Sequence, residues 1–308
     1  MILSICPNPS IDCTIELQSL NVGRLNRIDN KVETYSGKAL NVSVGIARLN
    51  GNCTATGFMF ENHKSMFEYT LQKEGVSHDF VYNQGSARVN YKIIDKKSML
   101  TEINDRGEEV ASEKQDELIK KVEVLSKNCS VAVMSGSLPK NVPSDFYRRV
   151  LSVIPKGVKV IVDAEKENML SAIEAGNVFM AKPNQKELEE FSGSPVRSFN
   201  DMVVACRKYI DLGVKYVLVS LGAEGAVLTD GTNSYFCKSA NVAVNSTVGA
   251  GDSMVAAFCV GLEKGVPNEE LLKMAVAAGT AAVTTSGTNL FYKSKYDEIY
   301  SKIFVDKI

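Results

Sequence analysis

Four short β-rich runs in the central and C-terminal parts of the chain constrain its fold most: Val131-Ala-Val-Met134, Val158-Lys-Val-Ile-Val162, Val178-Phe-Met180 and Lys215-Tyr-Val-Leu-Val-Ser220. Stretches of helical periodicity lie between and after them. Leu118, Val122 and Leu125 recur at helical spacing, as do Met202, Ala205, Tyr209 and Leu212, so each stretch would bury one stripe on a sheet. This alternation predicts an α/β fold with a central, mostly parallel sheet and helices on both faces. At 308 residues, one large domain with a small appendage is expected, and no linker, repeat or low-complexity run suggests a boundary.

Two segments break the alternation, roughly 11–34 and 87–104, the second reading as a hairpin around Asp95-Lys-Lys97. Together they predict a small β-sheet lid. Neither segment could bury a core alone, so such a lid must lie on the main domain or pair with a second copy; by analogy alone, a homodimer through the lid is the expected assembly.

Composition removes several function classes. With 44% hydrophobic and 23% charged residues and a formal net charge of -1, the chain lacks the basic excess that a nucleic-acid backbone demands. Seven cysteines, an odd number with no C-x-x-C pair, argue against a disulfide framework and a zinc site. Two histidines, His63 and His78, exclude a histidine-rich metal centre. No run approaches the ~18 apolar residues of a membrane span, and the expected location is cytoplasmic.

The sharpest local motif is Asn245-Ser-Thr-Val-Gly-Ala-Gly-Asp252-Ser-Met-Val-Ala-Ala-Phe258. Its glycines allow a tight turn into a helix whose first N–H groups have no internal partners, a ready site for an anion. An aspartate there repels a merely bound phosphate. It makes sense as a base beside a transferring phosphoryl group, with the amides of Gly249, Ala250 and Gly251 stabilising the phosphate charge. The helix end should keep Asp252 ionised and weakly basic, near the reference ~3.9. Asp252 fits equally an acidic residue that complements a helix dipole. A dinucleotide fingerprint fails because Gly249-Ala-Gly251-Asp-Ser-Met254 lacks the third small residue. Ser36-Gly-Lys-Ala39 is no Walker A sequence, for it lacks the upstream glycine and the following hydroxyl.

Taken with Asn8-Pro-Ser-Ile-Asp12, Ser36-Gly-Lys-Ala-Leu-Asn-Val42, Arg88-Val-Asn90, Thr101-Glu-Ile-Asn104, Gly136-Ser-Leu-Pro139 and Ser220-Leu-Gly-Ala-Glu-Gly225, this motif resembles the ribokinase/PfkB family of sugar kinases. The ordered set is similar to its 1-phosphofructokinase/tagatose-6-phosphate kinase branch and covers nearly the whole chain, implying a single ribokinase-like domain over 1–308. The resemblance implies ATP and Mg²⁺ as cofactors and Asp252 as catalytic base. It implies that Asp12, Gly37 and Asn41 hold the sugar. Lys38, Arg88, Ser137 and, on the lid, Arg27 would meet a sugar phosphate, whose charge rewards a lysine and a forked guanidinium. On residue type alone, Lys38 and Arg88 read as a solvated basic surface.

For the nucleotide, the resemblance implies Lys182, Asn184, Ser220, Gly222 and Gly225, with Asn184 and Glu187 organising Mg²⁺ through water. Asn184 with Glu187 also reads as a capping box, a structural device worth about 1 kcal/mol. The small-residue stretch Ala277 to Gly287 reads as a helix that the resemblance places at the adenine, and backbone near Ser246, Val248 and Gly287 would hold K⁺. Asp163, ending a strand, reads as a ligand-edge residue or a polar turn residue. Two departures bear on the sugar: the branch has Gly-Gly-Lys-Gly where this chain has Ser36-Gly-Lys-Ala39, and Pro-Gly-Pro where it has Asp105-Arg-Gly107. The expected acceptor is fructose 1-phosphate. The alternatives are tagatose 6-phosphate, fructose 6-phosphate, an unphosphorylated sugar or nucleoside, or a non-catalytic sugar-phosphate sensor.

Overall fold

The computed structural model describes residues 1–97, 99–285, 287 and 289–308. Its N-terminal third contains β1 (Ile2–Cys6), β2 (Ser10–Leu17), β3 (Asn30–Ser36), α1 (Lys38–Arg48), β4 (Cys53–Phe60), α2 (Lys64–Lys73), β5 (Ser77–His78) and β6 (Val81–Asn83). The middle contains β7 (Arg88–Asp95), β8 (Leu100–Asn104), α3 (Ser112–Ser126), β9 (Val131–Ser135), α4 (Phe146–Ser152), β10 (Lys159–Asp163), α5 (Lys166–Glu174), β11 (Val178–Ala181) and α6 (Gln185–Ser192). There follow α7 (Phe199–Asp211), β12 (Tyr216–Ser220), β13 (Ala226–Thr229), β14 (Ser234–Cys237), α8 (Ala250–Lys264), α9 (Asn268–Ala282), α10 (Lys293–Tyr300) and β15 (Val305–Lys307).

The large sheet runs β15-β14-β13-β12-β11-β10-β9-β1-β4-β5, with β6 also on β4. Strands from β12 across to β4 are parallel, whereas β12 to β15 form an antiparallel edge. Period-two geometry splits the strand side chains between two cores. Leu3, Ile5, Ala132 and Met134 join one cluster, with Phe146 of α4 and Leu188 of α6. Ile2, Val131 and Val133 join the other, with Phe258 of α8 and Ala278 of α9. Each fully buried large side chain of this kind contributes roughly 1.5–3 kcal/mol.

The second sheet runs β3-β2-β7-β8 and draws on both segments that break the alternation. Its inner end is fixed by Ile11, a member of the first core, and by Tyr35, whose ring meets Phe67 edge-on at 5.3 Å. Register puts Asp12, Asn90 and Asn104 side by side on one face. Cys13, Tyr91 and Ile103 lie on the other.

Two sequence expectations need correction. Leu212 is not part of a buried stripe: it follows the last residue of α7 and is 52% exposed. The helix expected to run through 277–287 stops at Ala282, where the hydroxyls of Thr284 and Thr285 donate to the carbonyls of Ala281 and Ala282 and turn the chain. Ser286 in that stretch and Ser98 within 87–104 lie outside the described residues. No helix among the described residues is long and apolar enough to cross a membrane.

Candidate active site

The carboxyl ends of the parallel strands, the starts of α1 and α8, and the polar face of the small sheet enclose one cleft of about 1060 Å³. This is where open α/β sheets place ligands. Gly249 caps α8 with φ of 77°, a left-handed conformation that a side chain would strain. Among the described residues no side chain caps this helix, and the main-chain N–H groups of Gly251 and Asp252 find no backbone acceptor. The anion-binding end expected from the glycine turn therefore opens on the cleft.

Asp252 sits in the first turn of α8, 6% exposed, and lines the same cleft. Asn41, from α1, donates its amide Nδ2 to Asp252 Oδ2 at 2.8 Å. Gly37 at the start of α1 has φ of 147°, and a side chain there would press Cys6 Sγ at 3.0 Å and Pro9 Cα at 3.1 Å. Sequence reasoning expects a carboxylate held at its ordinary acidity by the helix dipole. Instead burial dominates and pushes Asp252 up to about 6; Asp163 adds to the rise, while Lys38, Asn41 and Lys182 oppose it.

Asp163, at the end of β10, links two cations. Its Oδ1 lies 3.6 Å from Lys38 Nζ and 3.4 Å from Lys182 Nζ, and its Oδ2 accepts from Ser135 Oγ at 3.4 Å. Burial pushes this carboxyl up, but the two ammonium groups outweigh it and hold it below its usual value. Asp163 in turn raises the Lys38 ammonium above its usual range. Lys182 is buried and reaches the helix end, where a Cβ added to Gly251 would lie 3.2 Å from its Nζ. Asp163 is thus the hub of a three-member ion cluster, which a strand-end aspartate alone does not reveal.

At the small-sheet end, Asp12 is buried and fully engaged. Its Oδ1 accepts from Ser10 Oγ at 3.3 Å and Asn90 Nδ2 at 3.0 Å, and its Oδ2 from Ser36 Oγ at 3.1 Å and Lys92 Nζ at 3.3 Å. Arg88 enters from the start of β7, its Nη1 donating to the Asp105 carbonyl at 3.4 Å while Nε is buried without a partner. Asn8 Nδ2 donates to the Arg106 carbonyl at 3.2 Å and to Ser137 Oγ at 3.4 Å. The turn in which this chain departs from the Pro-Gly-Pro pattern is therefore tied to Arg88 and Ser137.

At the other end, the capping box over Asn184 and Glu187 is fully formed. It uses Glu187 Oε2 at 2.8 Å from Asn184 N, and Glu187 still lines the cleft. Ser220 N donates to the Pro183 carbonyl at 3.1 Å, joining this turn to the loop that carries Gly222 and Gly225. Met254, Val276 and Val283 give that end an apolar wall.

The cleft thus gathers Asp12, Gly37, Lys38, Asn41, Arg88 and Ser137 with Lys182, Asn184, Glu187, Ser220, Gly222 and Gly225 around the Gly249 to Asp252 turn. Val248 is also in its wall. Ser246 and Gly287 are not, although the 245–246 backbone is hydrogen-bonded to Val283. Arg27 stands apart as well, exposed on the connection between β2 and β3, whose ends lie away from the cleft. Sequence reasoning missed Lys92. The strict polar-apolar alternation Arg88-Val-Asn90-Tyr-Lys92 would have placed it on the Arg88 face of a strand.

Comparison with known proteins places the chain among its relatives. Residues 7–295 match the model of the pfkB family carbohydrate kinase. The chain is 30% identical over 302 residues to 1-phosphofructokinase of Bacillus subtilis, covering 97% of this chain and 98% of that protein. It is 30% identical over 312 residues to tagatose-6-phosphate kinase of Staphylococcus epidermidis, covering 100% of both. The structure of phosphofructokinase-2 from Escherichia coli in complex with potassium superposes with a TM-score of 0.90 at 29% identity, covering 97% of this chain and 98% of that one.

Proposed function

Because the chain belongs to the pfkB family of carbohydrate kinases, we propose that it transfers the γ-phosphoryl group of ATP to a hydroxyl of a phosphorylated ketohexose, with fructose 1-phosphate as the acceptor. One observation carries the reading: a buried carboxylate, Asp252, oriented by Asn41, faces a cleft shared by an open helix end and two lysines. Asn41 occupies Oδ2, which leaves Oδ1 to take the hydroxyl proton. The sugar oxygen then bonds to the γ-phosphorus as the bond to the bridging oxygen breaks and ADP leaves. Amides at the α8 start and Lys182 meet the charge on the migrating group. A base of this kind contributes about 10²–10⁴-fold, and positioning with electrostatic stabilisation supplies the rest.

Lys38, Arg88 and Ser137 would hold the phosphate already on the sugar, and Arg88 Nε is a buried donor awaiting an acceptor. Lys182, Asn184, Ser220, Gly222 and Gly225 would follow the nucleotide. Glu187, with one oxygen free of the capping box, fits a Mg²⁺ held through water that screens the phosphate charge. Backbone around Ser246, Val248 and Gly287 is the proposed K⁺ site; the related phosphofructokinase-2 was solved in complex with potassium. The whole chain, 1–308, would act as one kinase domain with the small sheet as its lid.

Tagatose 6-phosphate is the second reading, favoured by equal 30% identity to tagatose-6-phosphate kinase over the full length of both chains. ADP release measured across fructose 1-phosphate, fructose 6-phosphate, tagatose 6-phosphate and free hexoses decides among them. Preference for a free hexose would overturn the sugar-phosphate reading, and no ADP with any acceptor would leave only a sensor.

A further inference from the structure

Asp12 is saturated. A carboxylate offers about four acceptor positions, and each of its oxygens already takes two side-chain donors. A sugar hydroxyl can bond to it only by displacing Ser10, Ser36, Asn90 or Lys92. Two of those donors keep unused capacity. Asn90 spends Nδ2 on Asp12, and that bond fixes its amide so that Oδ1 is left buried with no partner. Lys92, only 8% exposed, lines the cleft and spends one N–H on Asp12, which leaves its ammonium two further donors. A buried amide oxygen without a partner and a buried ammonium with spare donors both cost free energy until something polar completes them. Residues 90 and 92 are two apart on β7, so they share the cleft face at a spacing of about 7 Å.

We infer that Asn90 and Lys92, locked in place by Asp12, are the specificity-determining residues that read neighbouring hydroxyls of the acceptor sugar. Asn90 Oδ1 accepts from one hydroxyl and Lys92 Nζ donates to the next. Asp12 acts here as a positioning residue, holding both in register. The inference rests on the sugar-phosphate kinase reading above and refines which part of the sugar is sensed and by what.

The test is steady-state ADP release with the best acceptor and with analogues of it deoxygenated at one ring carbon at a time. Lys92→Met should raise KM for the parent sugar by about 10- to 100-fold, as expected for lost hydrogen bonds to a charged group. It should leave KM for ATP unchanged, and leave unchanged the KM for the one analogue that lacks the hydroxyl Lys92 reads. Asn90→Ala keeps the ion pair, removes the acceptor, and should show the same pattern at the adjacent carbon. It also serves if Lys92→Met does not fold. An equal rise with every analogue, or no rise with any, would overturn the inference while leaving the kinase assignment intact. A wild-type enzyme inactive with all sugar phosphates would overturn both.

Discussion

Asp252 is recognisable from its motif, but its basicity is not, because that depends on how completely the folded chain buries it. With the carboxyl pushed up to about 6, the catalytic form is lost as pH falls through that value. The kcat/KM for the sugar should therefore fall tenfold per pH unit below about 6, a limb that an unshifted aspartate would place near ~4. Asp252→Asn should remove turnover at every pH while calorimetry still detects ADP binding. The same shift has a thermodynamic consequence. A raised folded-state value means the charged form costs stability above pH 6 and nothing below the unfolded-state value of 3.8. Asp252→Asn should thus stabilise the protein at pH 8 by the order of 3 kcal/mol and leave it unchanged at pH 3.5, read from thermal unfolding at the two values. The roles sketched for Lys38 and Asp163 divide differently. The resemblance to sugar kinases made Lys38 visible in the sequence, whereas Asp163 gains its place only when β10 and β11 bring Lys182 beside it.

At the scale of elements, the strands from β9 to β12 were legible within a residue because nothing but β-rich runs between helical stripes could fill a parallel sheet. The antiparallel edge of β13, β14 and β15 was not, since short strands of mixed pattern carry little periodicity. The end of α9 was missed for another reason: small residues continue past Ala282, and side-chain hydroxyls rather than a glycine stop the helix. The start of α8 yields a prediction that separates element stability from site function. Gly251 lies inside the helix, where alanine is favoured by about 1 kcal/mol. Its added Cβ would meet Lys182 Nζ at 3.2 Å, and that ammonium is pinned by Asp163. Gly251→Ala should therefore raise the melting temperature or leave it unchanged, yet lower kcat at least tenfold by displacing Lys182 and crowding the amides. A loss of both activity and stability would assign the glycine to folding alone.

At the scale of the whole molecule, the small sheet leaves part of its surface uncovered by the chain. The small sheet turns polar residues to the cleft. Its opposite face carries Ile15, Tyr91, Ile93 and Ile103 beside the Lys31–Glu33 ion pair, with Tyr91 and Ile103 paired across β7 and β8 at 39% and 55% exposure. Leu25 and Ile28, on the adjoining connection, are 76% and 53% exposed. Such a run of apolar groups on a four-stranded sheet is unfavourable in water. A second copy of the same sheet would bury it and satisfy the symmetry of an isologous interface. From sequence such a pairing was expected only by analogy, since which side of each strand faces outward depends on register. If the lids pair, Ile103→Glu places a carboxylate within the contact, where its desolvation opposes association. Sedimentation velocity should then show a dimer for the native chain and a monomer for Ile103→Glu. Leu212→Glu, a similarly exposed residue just after α7 and outside the small sheet, should remain a dimer. A native chain that sediments as a monomer, or an Ile103→Glu variant that stays paired, would place the interface elsewhere.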